Sequence, residues 1–294
     1  MIYQVHHRTT ISYEVPVAQA RFNIRLRPYG WPGQSIITQQ LDFSPQPAER
    51  RNEAGPYCVN RSLIGFTGKL SELAIESRFT VEVTARPPAN EGPALDQLRQ
   101  QALDMRDLSV LSPAPYLFAS RIADANSAIG DWAGGILAAD QPIVAAASGL
   151  MNAIHREFVY RPGATSSATP PAEAFERREG VCQDFAHVMI VGLRSQGIPA
   201  AYVSGYLRTE PPPGQARLVG ADAMHAWVAV WCGTELGWVG FDPTNDCLAL
   251  GDHILIAMGR DYADVSPIDG TFVGSAPQHM ETAVDVIPQD EVTA

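Results

Sequence analysis

The stretch GVCQDFAHVMIVGL, from Gly180 to Leu193, is apolar beyond Asp184 except for one histidine. A run of that length and character reads as a buried helix, and Gly197 ahead of Ile198-Pro199 is its stop signal. Cys182 then stands at the helix start, where backbone N–H groups lack intrahelical acceptors and the dipole places roughly half a positive charge. Such a place favours thiolate over thiol and suits a nucleophile. A cysteine there is, taken alone, more often a small core residue. Asp184 falls in the first turn, where a carboxylate complements the dipole. His187 lies roughly 140° around the axis from Cys182, so it is expected to face elsewhere, packing or bonding to a neighbouring strand. Cys182, Asp184 and His187 are poorly spaced for a metal.

Working outward, AAYVSGYL (200–207), MHAWVAVW (224–231) and GWVGFD (237–242) read as strands. The proline-rich loop TEPPPGQARLVGAD (209–222) is expected to shape a substrate channel. A tight loop centred on Gly233-Thr234 would set His225 directly opposite Asp242 in an antiparallel hairpin, with Cβ atoms about 5 Å apart. Either residue alone has a structural reading, a core histidine or a turn aspartate ahead of Pro243. Together they suit one chemistry. An imidazole takes the proton of a thiol that attacks an amide or ester carbonyl and later protonates the leaving group, while a carboxylate fixes its tautomer. The backbone N–H of Cys182 would hold the oxyanion. Gln183 and Tyr160 are the candidates for a second donor. Metal and organic cofactors are not expected.

The blocks GVCQDFAH, GIPAAYVSGYL, MHAWVAV and GWVGFDPTND, in this order, resemble the core of the transglutaminase-like superfamily, in its bacterial branch described as cysteine proteases. HHRTTISYEVPV followed by RLRP is similar to that branch's N-terminal β-domain, and DHILIAMGRDYADVSPIDG to its C-terminal segment. The resemblance implies Cys182 as nucleophile, His225 as base and acid, and Asp242 as the orienting carboxylate.

The first 85 or so residues alternate in short apolar and polar stretches broken by Pro and Gly, the pattern of an antiparallel β-sandwich. RPPANEGP (86–93) reads as a linker. ALDQLRQQALDM, YLFASRIADA and PIVAAASGLMNAIHREF are then expected to be helices. The fold class is α+β: a β-sandwich over 1–88, and over 89–294 a papain-like, transglutaminase-like core. In that core the cysteine helix packs on an antiparallel sheet, after a helical lead-in at about 94–160 and with the C-terminal strands extending the sheet.

A net charge of -11 over 294 residues, with no basic run, argues against nucleic acid or an anionic membrane as partner. The first residues lack a signal-peptide pattern, which makes cytoplasm the expectation. Cys58, Cys182, Cys232 and Cys247 show no disulfide ladder. Lys69 is the one lysine against twenty arginines, so self-crosslinking through lysine is not expected. The expected function is thiol-dependent acyl transfer, with a cysteine peptidase or amidase cleaving a peptide or isopeptide amide of a peptide or protein substrate through a Cys182 thioester. A protein-glutamine amine transferase and a non-catalytic peptide-binding or assembly protein are the alternatives. Homo-oligomerisation is left open.

Overall fold

The computed structural model describes residues 1–107, 109–209, 224–275 and 277–289. In chain order its elements are β1 (Ile2–Arg27), β2 (Gln34–Ser44), β3 (Glu49–Ala54), β4 (Asn60–Val83), α1 (Leu95–Asp104), α2 (Ser127–Gly134), α3 (Ile143–Glu157), β5 (Val159–Tyr160), α4 (Pro171–Arg177), β6 (Glu179–Gly180), α5 (Cys182–Ser195), β7 (Ala200–Leu207), β8 (Met224–Trp231), β9 (Trp238–Asp242), β10 (Cys247–Leu248), β11 (His253–Gly259), α6 (Tyr262–Val265), β12 (Ile268–Val273) and β13 (Gln278–Pro288). Among the described residues no helix is long and apolar enough to cross a membrane.

The N-terminal alternation does not break into many short strands. IYQVHH, TISYEV and FNIRLR run on as β1, which pairs with β4 along most of its length, and register shifts between Ser12 and Gln19 interrupt the ladder. Bulges strengthen twist and bend a strand, and here they divide one six-stranded sheet into two halves. Ile11, Leu41 and Ile75 from one half share a core with Phe22, Ile24 and Ile64 from the other. The expected sandwich is therefore one sheet folded over its own apolar face.

The C-terminal strands divide. β10 and β11 extend the core sheet, whose order is β10-β9-β8-β7-β11, but β12 and β13 do not. Instead β13 pairs with the first half of β1, from Tyr3 to Tyr13, and β12 with its second half, from Gln19 to Ile24. The reason is the period of β13, which places Val284 and Val286 on one face against Val5, Phe79, Tyr206 and Ile254. It also covers an edge of β1 that would otherwise leave backbone groups unpaired.

Between linker and cysteine helix, α1 and α3 form as the spacing predicts, but YLFASRIADA does not become a helix. Its backbone is claimed by other partners: Arg194 donates to Phe118 O, and the Ile122 N–H goes to Asp261, while Arg194 also donates to the Ser120 side chain. The helix starts later, at Ser127, where the Asn126 side chain accepts the Ile129 N–H at 2.9 Å. α5 is buried from Asp184 to Arg194, against α2, α3, α4 and the β7–β8 face, and Gly197 follows it with φ +71°.

The β8–β9 hairpin is also wider than a tight turn. Gly233 and Gly237, both at positive φ, bracket the loop, and Cys232 N–H bonds to Gly237 O at 2.7 Å. Val228 pairs with Phe241 and Trp231 with Trp238, so the register is displaced by two residues from the expected one. Because side chains alternate with period two, a shift of two keeps His225 and Asp242 on the same face, as diagonal rather than direct neighbours.

Gly205, opposite His225 in the β7–β8 ladder, is where β7 meets both β11 and Trp227: a Cβ there would lie 2.2 Å from Ile254 O and 2.5 Å from the Trp227 ring. Gly205→Ala is expected to lower the unfolding free energy by about 2–3 kcal/mol. A urea transition with an unshifted midpoint would contradict this close packing.

Candidate active site

The start of α5 is held by its own acid. Asp184 Oδ2 accepts the Val181 N–H at 2.8 Å and the Thr165 hydroxyl at 2.6 Å. Valine offers no side-chain acceptor in return, so this is half of a capping box. The N–H groups of Cys182 and Gln183 stay at the open helix end, where no intrahelical carbonyl reaches them. Burial pushes the Asp184 carboxyl above its ordinary value, although the bonds from Thr165 and Val181 pull the other way. The glycine of GVCQD has a steric cause: a Cβ on Gly180 would sit 2.6 Å from Asp184 Oδ2.

His225, at the start of β8, shares its environment with Asp242 at the end of β9. His225 Nε2 lies 2.8 Å from Asp242 Oδ2. Burial alone would lower the imidazole's pKa, but the bonds to Asp242 and Cys182 outweigh it and raise it to about 10. Asp242 is fully buried. Its Oδ2 also accepts from His253 Nε2 at 3.0 Å and Asn245 Nδ2 at 2.7 Å, and its Oδ1 takes the Thr244 N–H at 2.9 Å and the Asn245 N–H at 3.2 Å. Burial by itself would raise this carboxyl; the donors reverse that and hold it well below the carboxylate range.

His253 was not singled out by sequence. The available signal was one polar side chain in the apolar run HILIAMG, which becomes β11. Its ring stands edge-on to Trp227 at 5.2 Å, and both sit behind the Asp242 carboxylate. His225, Asp242 and His253 offer atoms within 4.8 Å of one another. Oδ2 nevertheless lies 2.8 and 3.0 Å from the two ring nitrogens, the spacing of N–H···O bonds. Ligand atoms around a tetrahedral zinc would stand roughly 3.3 Å apart, and this carboxylate is already saturated by donors.

Cys182, Gln183 and His225 line one cavity of about 400 Å³ together with Tyr202 and Met224. Its far wall comes from the N-terminal sheet, through His7, Thr9 and Thr282. Gln183 reaches sideways, Nε2 to Ser167 O at 3.3 Å. Tyr160 is held beside Gly180 by the short β5–β6 pair, is half exposed, and stands edge-on to Phe185 at 6.3 Å. It is not among the residues lining the cavity. Burial, then nearby Cys182, raises its pKa. His187 turns away, as the helical phase predicts: it stacks on Tyr202 at 4.8 Å, accepts the Tyr262 N–H at 3.2 Å, and is held neutral by burial, its pKa lowered to about 4. Arg260 pairs with Asp264 at 2.9 Å. Residues 210–222 of the expected channel loop lie outside the described residues.

Two outcomes follow from these contacts. His225 has a folded pKa raised from 6.5 to about 10, so its stabilising contribution is complete below pH 6.5 and is lost as pH rises through 10. The stability difference between the wild-type chain and His225→Gln, measured by urea unfolding, is expected to be level below pH 6.5 and to shrink above it. His253→Leu removes one donor from a buried carboxylate and is expected to cost about 1–3 kcal/mol at pH 7; a cost near zero would show that Asp242 does not depend on it.

Residues 130–243 match the transglutaminase-like superfamily, and residues 3–82 match the bacterial transglutaminase-like N-terminal region. The uncharacterised protein Rv2569c of Mycobacterium tuberculosis is 35% identical over 292 residues, covering 97% of this chain and 92% of that one. ML0607 of Mycobacterium leprae is 31% identical over 287 residues, 96% and 97% of the two chains. A protein-glutamine gamma-glutamyltransferase of Pseudomonas aeruginosa is 38% identical over 107 residues, which are 35% of this chain and 16% of that protein. Among solved structures, the "Putative Cysteine Protease from Cytophaga hutchinsonii" shares the fold with a TM-score of 0.75, over 99% of this chain and 92% of that one at 21% identity. With the N-terminal region and the core both matched, and relatives aligned from end to end, the chain belongs to the transglutaminase-like superfamily.

Proposed function

We propose that the protein is a thiol-dependent acyl-transfer enzyme that opens a peptide or isopeptide amide through a thioester on Cys182, with water as the ordinary acceptor. The observation that carries this reading is the position of His225, bonded through Nε2 to buried Asp242 and interacting with Cys182 at the open end of α5. With Nε2–H committed to Asp242, Nδ1 is the nitrogen left for the thiol. The Cys182 proton rests on His225, whose pKa is raised to about 10, and the sulfur attacks the carbonyl carbon. The oxyanion forms beside the backbone N–H groups of Cys182 and Gln183. Collapse breaks the C–N bond, His225 protonates the departing amine, and a thioester remains. Water, deprotonated by the same imidazole, then releases the acid and restores the thiol. Asp242 is the orienting carboxylate, and Asn245 and His253 position it.

Amine transfer is the second reading, favoured by the local match to the gamma-glutamyltransferase; the same thioester serves it, with an amine replacing water. Product analysis with and without added amine separates the two.

The test is direct. The wild-type chain with a reactive ester or peptide amide is expected to show an acyl adduct on Cys182 by mass spectrometry. Cys182→Ala shows none, and Asp242→Asn lowers turnover by about 10²-fold or more. Cys182 is also expected to alkylate first at pH 8: burial pushes Cys58 to about 12 and Cys247 to about 11, and drives Cys232 above the usual thiol range. A chain that forms no thioester on any substrate, with Cys182 no faster than these three, would leave the binding or assembly alternative in its place.

A further inference from the structure

The far wall of the cavity plays no part in the reaction above, yet it is built as one hydrogen-bonded chain. Tyr206 Oη lies 2.8 Å from His7 Nδ1, His7 Nε2 lies 2.8 Å from Thr9 Oγ1, and Thr9 Oγ1 lies 3.0 Å from Thr282 Oγ1. Tyr206 comes from β7 of the core; His7 and Thr9 come from β1, and Thr282 from β13. Tyr206 is 0% exposed, and His7 and Thr9 are 1% exposed. Thr282 is exposed, at the cavity.

The buried end sets the direction of this chain. Among the described residues, His7 is the one hydrogen-bond partner of the Tyr206 hydroxyl. Burial holds that phenol far above its ordinary range, hence protonated. Burial, with His6 alongside, lowers His7 to about 4, hence neutral. A neutral imidazole has one donor and one acceptor nitrogen. Tyr206 donates to Nδ1, since its proton would otherwise be left unpaired in the interior. Nε2 therefore carries the ring hydrogen and donates to Thr9. Thr9 in turn donates to Thr282, and the hydroxyl proton of Thr282 is the one left over for the cavity. Among the described residues lining the cavity there is no Asp, Glu, Lys or Arg.

We propose that this wall, supplied by the N-terminal sheet and β13, is a subsite that binds an uncharged carbonyl group of the acyl donor through the Thr282 hydroxyl. The inference rests on reading the cavity as the substrate site. A carboxylate entering here would lose its hydration at a wall of neutral groups, and the His225 imidazolium that also lines the cavity is already paired with Asp242. An ammonium would bring its donors to an oxygen that already accepts from Thr9. A neutral carbonyl loses little on desolvation and accepts the hydrogen that Thr282 has left over.

The full chain carrying Cys182→Ala, which cannot form a thioester, is titrated by NMR with hexanamide, hexanoate and hexylammonium. Hexanamide is expected to bind at least about fivefold more tightly than either ion. In the added Thr282→Val or Thr9→Val background that preference falls to about twofold or less, and Thr9→Ser retains it. Thr282 is exposed, so its valine variant tests the subsite even where the buried Thr9→Val disturbs folding. Acetyl-trialanine methylamide distinguishes the carbonyl's source: weakening by Thr282→Val assigns the subsite to peptide main chain, and no weakening assigns it to a side-chain amide. Either ion binding as well as hexanamide, or a preference that survives loss of both hydroxyls, overturns the subsite. No thioester in the wild-type chain alongside an intact preference overturns the reaction instead.

Discussion

A fully buried carboxylate organises the site. Asp242 ends β9 and collects two imidazoles, an amide and two backbone N–H groups on its oxygens. A charge taken out of water is tolerated only when its lone pairs are satisfied, so the segments that supply those donors must converge on it. They are the start of β8, the turn after β9, and the start of β11. His225 thereby gains a fixed ring orientation, and β11 is tied to the same point from behind.

Two sheets then meet at this carboxylate's histidine. The core sheet presents His225 and α5 presents Cys182, but the opposite wall belongs to β1 and β13. Because β12 and β13 return from the core to pair with β1, the N-terminal sheet is joined to the rest of the chain at both ends of the sequence. Tyr206 extends that joint from the core side, bonding to His7 inside an apolar contact of Tyr3, Val5, Phe79 and Ile254. The N-terminal sheet is part of the cavity and more than an attached module.

Much of the site was legible in the residues. Cys182 at a helix start, Asp184 in its first turn and His187 out of phase all follow from the 3.6-residue period acting over one element. The β8–β9 pairing was legible in face and not in register: a loop from Gly233 to Gly237 replaced the tight turn, and the shift of two residues preserved which side chains meet. YLFASRIADA failed as a helix because Arg194 and Asp261, distant in sequence, claim its backbone. His253 and the Tyr206–His7–Thr9–Thr282 chain were invisible for the same reason, since no local period relates residues on separate sheets.

Taken by itself, the sequence determined what depends on local period and on end chemistry: the cysteine helix and its stop, the three central strands, the α+β class, and which face His225 and Asp242 share. Tertiary structure alone decided which partners saturate Asp242, where the last two strands pair, and that a wall of neutral hydroxyls stands across from the thiol. The physical reason is that periodicity reports the face a side chain occupies, whereas the satisfaction of a buried polar group depends on whatever distant segment packs against that face.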